Sequence, residues 1–306
     1  MTEEKAWQEL RLLQEKNKEI LAVIDDFCEK NHLMHYLCGG ACIGALRHGD
    51  MIPWDDDIDM MMPRDDYERF CKLWPEQMKG TPYVLCRDDD EHFYRSLLTA
   101  IVDTRTTFIK ERQVDLDIPH GIRVEVFPLD AVPKGTWHRR MQIVYALLFQ
   151  MYTLREAPIS RGRFFNVVGK ILLRLVPTAH GRHRVARFFE KQMSKTPITP
   201  QTEFVTELCS RFQYMRNNYP HEAFAAMRQV PFGNQTASIP VGAETYLHMA
   251  YGDFMQLPPE SEQKPKHDAV VLDVENGYET YRGSAYPGKY VPPTQEPAYF
   301  GAYCFL

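Results

Sequence analysis

The stretch IPWDDDIDMMMPR, residues 52–64, places Asp57 and Asp59 one residue apart, with the apolar run MMM directly after them. Alternation of acidic and apolar residues is typical of a half-buried strand, and residues two apart on a strand point to the same face. Two carboxylates held side by side repel each other, and a divalent cation removes that penalty. The stretch therefore predicts a strand at 58–62, beside a site where oxygen ligands hold a hard metal, magnesium or alternatively manganese.

The stretch CGGACIGALRHG, residues 38–49, lies just upstream. A short strand is expected at 35–38, the pair Gly39-Gly40 interrupts it, and a helix is expected at 41–48. Glycines at a strand-to-helix turn let backbone amides approach a ligand closely, and the helix N-terminus attracts phosphate. We expect Gly39 and Gly40 to contact phosphate; a tight turn without a ligand is the alternative.

The segment GIRVEVF, residues 121–127, alternates strongly and predicts another strand. Its valines should face the core, which leaves Glu125 on the opposite face. If this strand pairs with the one that follows Asp57 and Asp59, the three carboxylates converge. A phosphate cradle followed by such a group of acids is the arrangement that metal-assisted phosphoryl transfer needs.

The composition is that of an ordinary globular protein: 306 residues, 44% hydrophobic and 25% charged. A net charge of −5 argues against a general nucleic-acid binder, which usually carries a basic excess. The seven cysteines are odd in number and scattered, which favours reduced thiols in the cytoplasm over a disulfide framework. Neither a signal peptide nor a membrane-spanning segment is expected.

The order of helix and strand patterns predicts a single mixed α/β domain over residues 1–306. Helices are expected at 2–31, 65–78, 202–216 and 243–251, and strands at 82–87, 97–103 and 106–110, with a strand pair at 229–240 and an irregular tail at 274–306.

A basic helical insertion is expected at about 134–195. Residues 134–191 carry twelve lysines and arginines but two acids, which makes this segment unlike the rest of an acidic chain. One interpretation is contact with an anionic, lipid-linked acceptor or a membrane surface. The other is the positively charged face of a soluble helical cap.

Three blocks of the chain resemble the LicD family of the nucleotidyltransferase superfamily. They are GGACIGALRHGDMIPWDDDIDMMMPRDDYERF at 39–70, GIRVEVFPLD at 121–130 and YGDFMQLPPE at 251–260. The resemblance implies an α/β (α+β) fold with a nucleotidyltransferase-like mixed sheet flanked by helices. The chain departs from the family at one position, because the third acid is more often aspartate and here is Glu125.

LicD-like proteins are phosphotransferases that decorate cell-surface glycans. By this resemblance we expect magnesium-dependent transfer of phosphocholine from CDP-choline to a hydroxyl of a cell-surface glycan, or of its lipid-linked precursor, with release of CMP. Ribitol, glycerol and ethanolamine phosphates are alternative transferred groups, and fukutin-type relatives move ribitol phosphate from CDP-ribitol. The expected location is cytoplasmic, with peripheral contact at the inner face of the plasma membrane.

The resemblance also implies roles for individual residues. Asp57 and Asp59 would hold magnesium on the donor pyrophosphate, and Glu125 would complete the site and accept the proton of the attacking hydroxyl. The other candidates are Arg47 and His48 for the leaving CMP, Arg64 for phosphate, Trp54 as a ring that stacks on the base or encloses choline, and His267 near the site.

Other interpretations stay open from sequence. A metal-dependent glycosyltransferase also uses an acid-x-acid strand end, but it does not account for Gly39-Gly40 or Glu125. A catalytically inactive scaffold that binds glycan or membrane is a third class. Asp55 and Asp56 are expected to form a solvated acidic turn, while Trp54 has packing as its simpler role.

Overall fold

A mixed sheet of seven strands lies at the centre of the computed structural model, which describes residues 2–156, 163–265 and 267–286, the side chains of 163–165 excepted. Its main path runs through β1 (Tyr36–Leu37), β2 (Asp59–Pro63), β6 (Ile122–Ala131), β4 (Thr99–Asp103) and β3 (Tyr83–Cys86). The far end of β6 also pairs with β7 (Phe204–Thr206), which in turn pairs with β8 (Tyr219–Pro220).

The parallel pairing of β2 with β6 places Asp59 opposite Glu125, and this confirms the strand neighbourhood expected from sequence. The other pairings in this sheet are antiparallel. Met60, Met61 and Met62 are fully buried, so β2 is not the half-buried strand that its alternation suggested. Hydrogen-bonded strands flank β2 on both sides, and α2 (Gly39–His48) and α3 (Arg64–Gln77) contact it.

The predicted helices at the two ends of the core are present. The long helix α1 (Glu3–Asn31) is capped by Thr2, whose side chain accepts from a backbone amide of the first turn. It buries residues at helical spacing, including Leu10, Leu13 and Ile24, against the sheet. The helix α8 (Ala243–Tyr251) has the predicted bounds.

The basic insertion is helical, as expected. It consists of α4 (Thr136–Leu154), α5 (Arg163–Leu175) and α6 (Ala179–Met193). The helices α4 and α6 pack on each other around a second apolar cluster that includes Phe149 and Met193. Within the described residues, no helix is both long and apolar enough to cross a bilayer.

The helix predicted at 202–216 is wrong. That segment contains β7 and, after a turn, the four-residue helix α7 (Phe212–Met215). The reason is tertiary: the end of β6 needs a hydrogen-bonding partner, and β7 supplies it by pairing Thr206 with Asp130. Local helix propensity is a weak preference that such pairing overrides.

The strand pair predicted at 229–240 is confirmed as the hairpin β9 (Met227–Phe232) and β10 (Gln235–Pro240). A pairing that no sequence pattern indicated joins β5 (Thr107–Lys110) to the distant β11 (Ala269–Asp273). The six cysteines in the described residues are free thiols. Of the irregular tail expected at 274–306, residues 287–306, with Cys304, lie outside the described residues.

Arg64 begins α3 and is buried, with its guanidinium donating two hydrogen bonds of 2.7 Å to Asp130 and one of 3.2 Å to Glu190. This network joins α3, β6 and α6 at the end of β2 that lies away from Asp59. The role in phosphate binding expected for Arg64 is therefore wrong, because internal carboxylates already engage its donors.

We predict that Arg64→Met destabilises the fold by about 3–5 kcal/mol, because it leaves the Asp130 charge buried without its partner. Glu190 keeps its ion pairs with Arg87 and Arg187. The matched control is Arg69→Met on the same helix, whose side chain is 52% exposed and pairs with Asp66; its loss should stay within about 1 kcal/mol. Urea unfolding of both variants measures the difference. Equal losses in the two variants would contradict a stabilising role for the buried network.

Candidate active site

The three acids before β2 form one group. Carboxylate oxygens of Asp55, Asp56 and Asp57 lie within 4.8 Å of one another, and all three residues are half-buried. The solvated turn expected for Asp55 and Asp56 is therefore wrong. Since only oxygen ligands are offered, this group suits a hard divalent cation.

Two amide side chains on α1 hold this acidic loop in place. The Gln14 side chain donates to the backbone carbonyls of Ile52 at 3.1 Å and of Asp55 at 2.8 Å. The buried Asn17 side chain donates to the carbonyl of Asp56 at 2.8 Å. Neither residue was predicted from sequence, because a polar position on an amphipathic helix does not by itself identify a partner 39 residues away.

The glycine pair lies against the acids. Gly39 and Gly40 are the first two residues of α2 rather than a turn before it, and Gly39 has a φ of 53°, which favours glycine. A Cβ on Gly40 would lie 2.5 Å from the Asp55 Oδ2 atom. The small residue therefore lets an acidic side chain approach the N-terminus of a helix, where anions are stabilised.

Asp59 and Glu125 lie on adjacent strands, and the Glu125 carboxylate is 3.4 Å from the Lys110 ammonium group. Asp57, Asp59 and Glu125 interact electrostatically. However, the only group of three or more potential ligand atoms within 4.8 Å in the described ranges is formed by Asp55, Asp56 and Asp57. Strand pairing therefore places Asp59 beside Glu125, but a metal site made by Asp57, Asp59 and Glu125 stays a prediction, and Glu125 is engaged by Lys110, a residue that no sequence pattern indicated.

The pKa values of the acids at this site reflect their burial and the crowding of negative charge. Burial, reinforced by the Asp57 charge, raises the pKa of Asp56 to about 8. Burial, with Glu125 and Asp268 nearby, raises the pKa of Asp57 to about 6. Burial alone would raise the pKa of Glu125 too, but Lys110, Arg112 and Arg123 lower it. A bound divalent cation would relieve the repulsion among the three loop acids, so the residues present fit a metal.

The remaining candidates lie around this group with other contacts. Arg47 donates to the backbone carbonyls of Phe254 and Gln256, at 2.9 and 3.1 Å, and braces the segment after α8. The His48 and Trp54 rings meet edge to face, with centroids 5.9 Å apart, and Trp54 packs against the core.

His267 packs its ring against Phe108, with centroids 6.3 Å apart, beside the start of β11. The next residue, Asp268, acts electrostatically on both Asp56 and Asp57. The pairing of β5 with β11 therefore brings this segment to the acidic group, although the three blocks of family resemblance do not include it.

A narrow cavity adjoins the acids on the side of Asp59. It is lined by Cys38, Gly39, Asp59, Phe127, Glu207, Ser210, Tyr214, Tyr246 and Tyr251. Glu207 is buried, and burial raises its pKa to about 7. Glu207 was not among the predicted site residues, because it lies in the segment predicted as a helix.

Comparisons with known proteins agree with this geometry. Residues 32–159 match the LicD/FKTN/FKRP nucleotidyltransferase domain. The chain is 28% identical over 279 residues to the lipopolysaccharide cholinephosphotransferase LicD of Haemophilus influenzae, covering 85% of this chain and 98% of the relative. It is also 26% identical over 139 residues to the ribitol 5-phosphate transferase FKRP of Mus musculus and of Homo sapiens, covering 39% of this chain and 27% of each relative.

We predict that Asp56→Asn raises the melting temperature at pH 8 in EDTA and changes it little at pH 4. The Asp56 pKa is higher in the folded chain, about 8, than its ordinary value of 3.8. Proton binding by Asp56 therefore stabilises the folded state fully below about pH 4, and this stabilisation is lost as the pH rises towards 8. Thermal unfolding at both pH values measures the effect, with the exposed Asp65→Asn as control. A lower melting temperature at pH 8 would contradict the repulsion.

Proposed function

We propose that this chain is a LicD-type phosphotransferase, since residues 32–159 match the LicD/FKTN/FKRP nucleotidyltransferase domain. It would transfer a phospho-alcohol group from a CDP-alcohol donor to a hydroxyl of a cell-surface glycan or its lipid-linked precursor, releasing CMP. CDP-choline is the favoured donor, since the relative matched over most of this chain is a cholinephosphotransferase. The observation that carries the proposal is the contact of the acidic loop with the glycine start of α2. Carboxylates beside a helix N-terminus are a combination that suits a diphosphate together with its cation.

Asp55, Asp56, Asp57 and Asp59 are the residues that would hold magnesium. Magnesium, when bound, supplies neutralisation of the charge on the donor's phosphate oxygens. The Gly39 amide already donates to the Tyr246 hydroxyl at 3.2 Å. The amides that follow it, from Gly40 onward, would face the same phosphates, because a helix N-terminus offers unpaired donors and a positive dipole end. Gln14 and Asn17 keep the loop in position by holding its backbone.

Glu125 and Lys110 act as a pair in this proposal. Lys110 lowers the pKa of Glu125, which makes this carboxylate a poor proton acceptor. We therefore assign Glu125 a role as a fixed negative charge. The role expected from sequence was to accept the proton of the attacking hydroxyl. The Lys110 ammonium group is 3.4 Å from Glu125 and also acts on Asp56, Asp57 and Asp59. It is therefore placed to stabilise negative charge that develops on the donor during transfer.

We predict that Asp59→Asn lowers magnesium-dependent CMP release from CDP-choline by at least about 100-fold, the cost of losing one preorganised charged group at a transition state. The carboxamide keeps the shape of the side chain but removes its charge. CMP formation, measured by chromatography with a glycan acceptor present, gives the rate. The exposed Asp65→Asn serves as the control and should retain wild-type activity.

Two outcomes would contradict the assignment. Unchanged turnover in Asp59→Asn would remove the acidic group from the chemistry. Thermal stabilisation by UDP-sugars but not by CDP or CDP-alcohols would favour the metal-dependent glycosyltransferase instead.

We further propose that α5 contacts an anionic membrane surface, where a lipid-linked acceptor would be found. Val167, Ile171 and Leu175 form an exposed apolar stripe along this helix, and Leu175 is 71% exposed. Lys170 and Arg174 are exposed beside the stripe. An apolar stripe flanked by cations is the pattern of a helix that lies in the plane of a negatively charged interface.

We predict that Ile171→Ser/Leu175→Ser reduces sedimentation of the protein with phosphatidylglycerol vesicles several-fold, because it removes apolar area from the interface. Val270→Ser, at an apolar residue of β11 that is 53% exposed, is the matched control. Binding by the wild type should weaken at high salt and on phosphatidylcholine vesicles. Equal sedimentation of all three proteins would leave α5 as the face of a soluble helical cap.

A further inference from the structure

We propose that the cavity beside Asp59 binds the positively charged ammonium group of the donor alcohol, with the Glu207 carboxylate as its counter-charge and tyrosine rings as its walls. The proposal rests on the proposed function and deepens it, because it selects cationic alcohols such as choline over neutral polyols such as ribitol.

The cavity is continuous with the candidate site. Gly39, at the N-terminus of α2, and Asp59, at the start of β2, form part of its wall. A donor whose phosphates lie against α2 would therefore have its alcohol within reach of the same space. The rest of the wall comes from Cys38 before α2, from Phe127 on β6, from the segment 207–214 that follows β7, and from two tyrosines of α8.

Glu207 is a buried acid for which the described residues supply no ion-pair partner. The Tyr219 hydroxyl donates to it at 2.5 Å, and Ser210 is its other hydrogen-bond partner. Besides burial, these two hydroxyls are the causes that act on its pKa. By contrast, Arg64 pairs with Asp130 and Lys110 with Glu125. A buried carboxylate gains most from a cation placed beside it, because burial without one is costly.

Aromatic rings supply the second component of an ammonium site. Tyr214, Tyr246 and Tyr251 line the cavity. The ring centroids of Tyr214 and Tyr251 are 5.5 Å apart. The ring of Tyr246 contacts that of Tyr219, with centroids 5.1 Å apart, and Tyr219 is the residue that donates to Glu207. Quaternary ammonium groups are recognised by aromatic faces of this kind, and the attraction is stronger where water is excluded.

The cavity is narrow, with about the space that one water molecule occupies. A trimethylammonium group is larger than this, so its entry requires the tyrosine side chains to move apart. Tyr251 is half-buried at the end of α8, and the residue after it, Gly252, ends that helix with a positive φ of 72°. The part of the wall that must move therefore includes the last residue of α8 and not a residue within the helix.

The test is to compare CDP-choline with CDP-ribitol as donors for the wild type, Glu207→Gln and Glu203→Gln. Glu203 directly precedes β7, and its side chain is 68% exposed. It serves as the matched control. We expect Glu207→Gln to raise the KM for CDP-choline at least tenfold, with the kinetic constants for CDP-ribitol changed less than twofold. Tyr251→Leu should show the same selective loss and provides a second variant if Glu207→Gln does not fold.

A binding measurement that does not depend on turnover accompanies the kinetics. Calorimetry with choline and with 3,3-dimethylbutan-1-ol, its uncharged carbon analogue, should detect choline alone, and Glu207→Gln should abolish that signal. Equal losses with both donors, or no loss with either, would overturn the ammonium site. CMP release by the wild type from CDP-ribitol but not from CDP-choline would also overturn it while leaving the proposed function intact. CMP release from neither donor would overturn the proposed function, and the choline titration would still decide the ammonium site.

Discussion

Repulsion among acids crowded at the start of β2 is the constraint around which the rest of this molecule is arranged. Asp55, Asp56 and Asp57 lie together in a partly buried loop, and burial with mutual repulsion raises their pKa values. Such a group is costly to keep without a cation. The fold tolerates it because hydrogen bonds from α1 hold the loop backbone and because Lys110 supplies one positive charge nearby.

Buried acids are paired with a cation at one end of β2 and lack sufficient cations at the other. At the end that follows Pro63, Arg64 engages Asp130 and Glu190 in a closed, buried network. At the other end the acids outnumber their cations, and burial raises their pKa values. A closed network braces the fold, whereas an uncompensated one is suited to binding a cationic ligand. This difference separates a structural arginine from a candidate catalytic centre only five residues away in sequence.

The segment around β7 adds a further surface to the site that the family blocks do not contain. By pairing with the end of β6, it carries Glu207 to the cavity that Asp59 and Gly39 also line. A carboxylate held by a tyrosine hydroxyl within an aromatic wall is chemically unlike the metal-binding acids. It suits recognition of the transferred alcohol rather than of its phosphates, so donor binding and donor selection would lie on different elements.

The chain's own pattern determined the acidic strand, the second strand with Glu125, and the bounds of α8, whereas it placed the glycine pair before α2 and not at its start. These depend on residues close in sequence, whose spacing reports which face they occupy. Tertiary structure alone decided that Lys110 pairs with Glu125 and that Arg64 pairs with Asp130. It also decided that β11 pairs with β5 and that residues 204–206 form a strand. Each of these depends on a partner brought from a distant part of the chain, and local periodicity carries no record of such a partner.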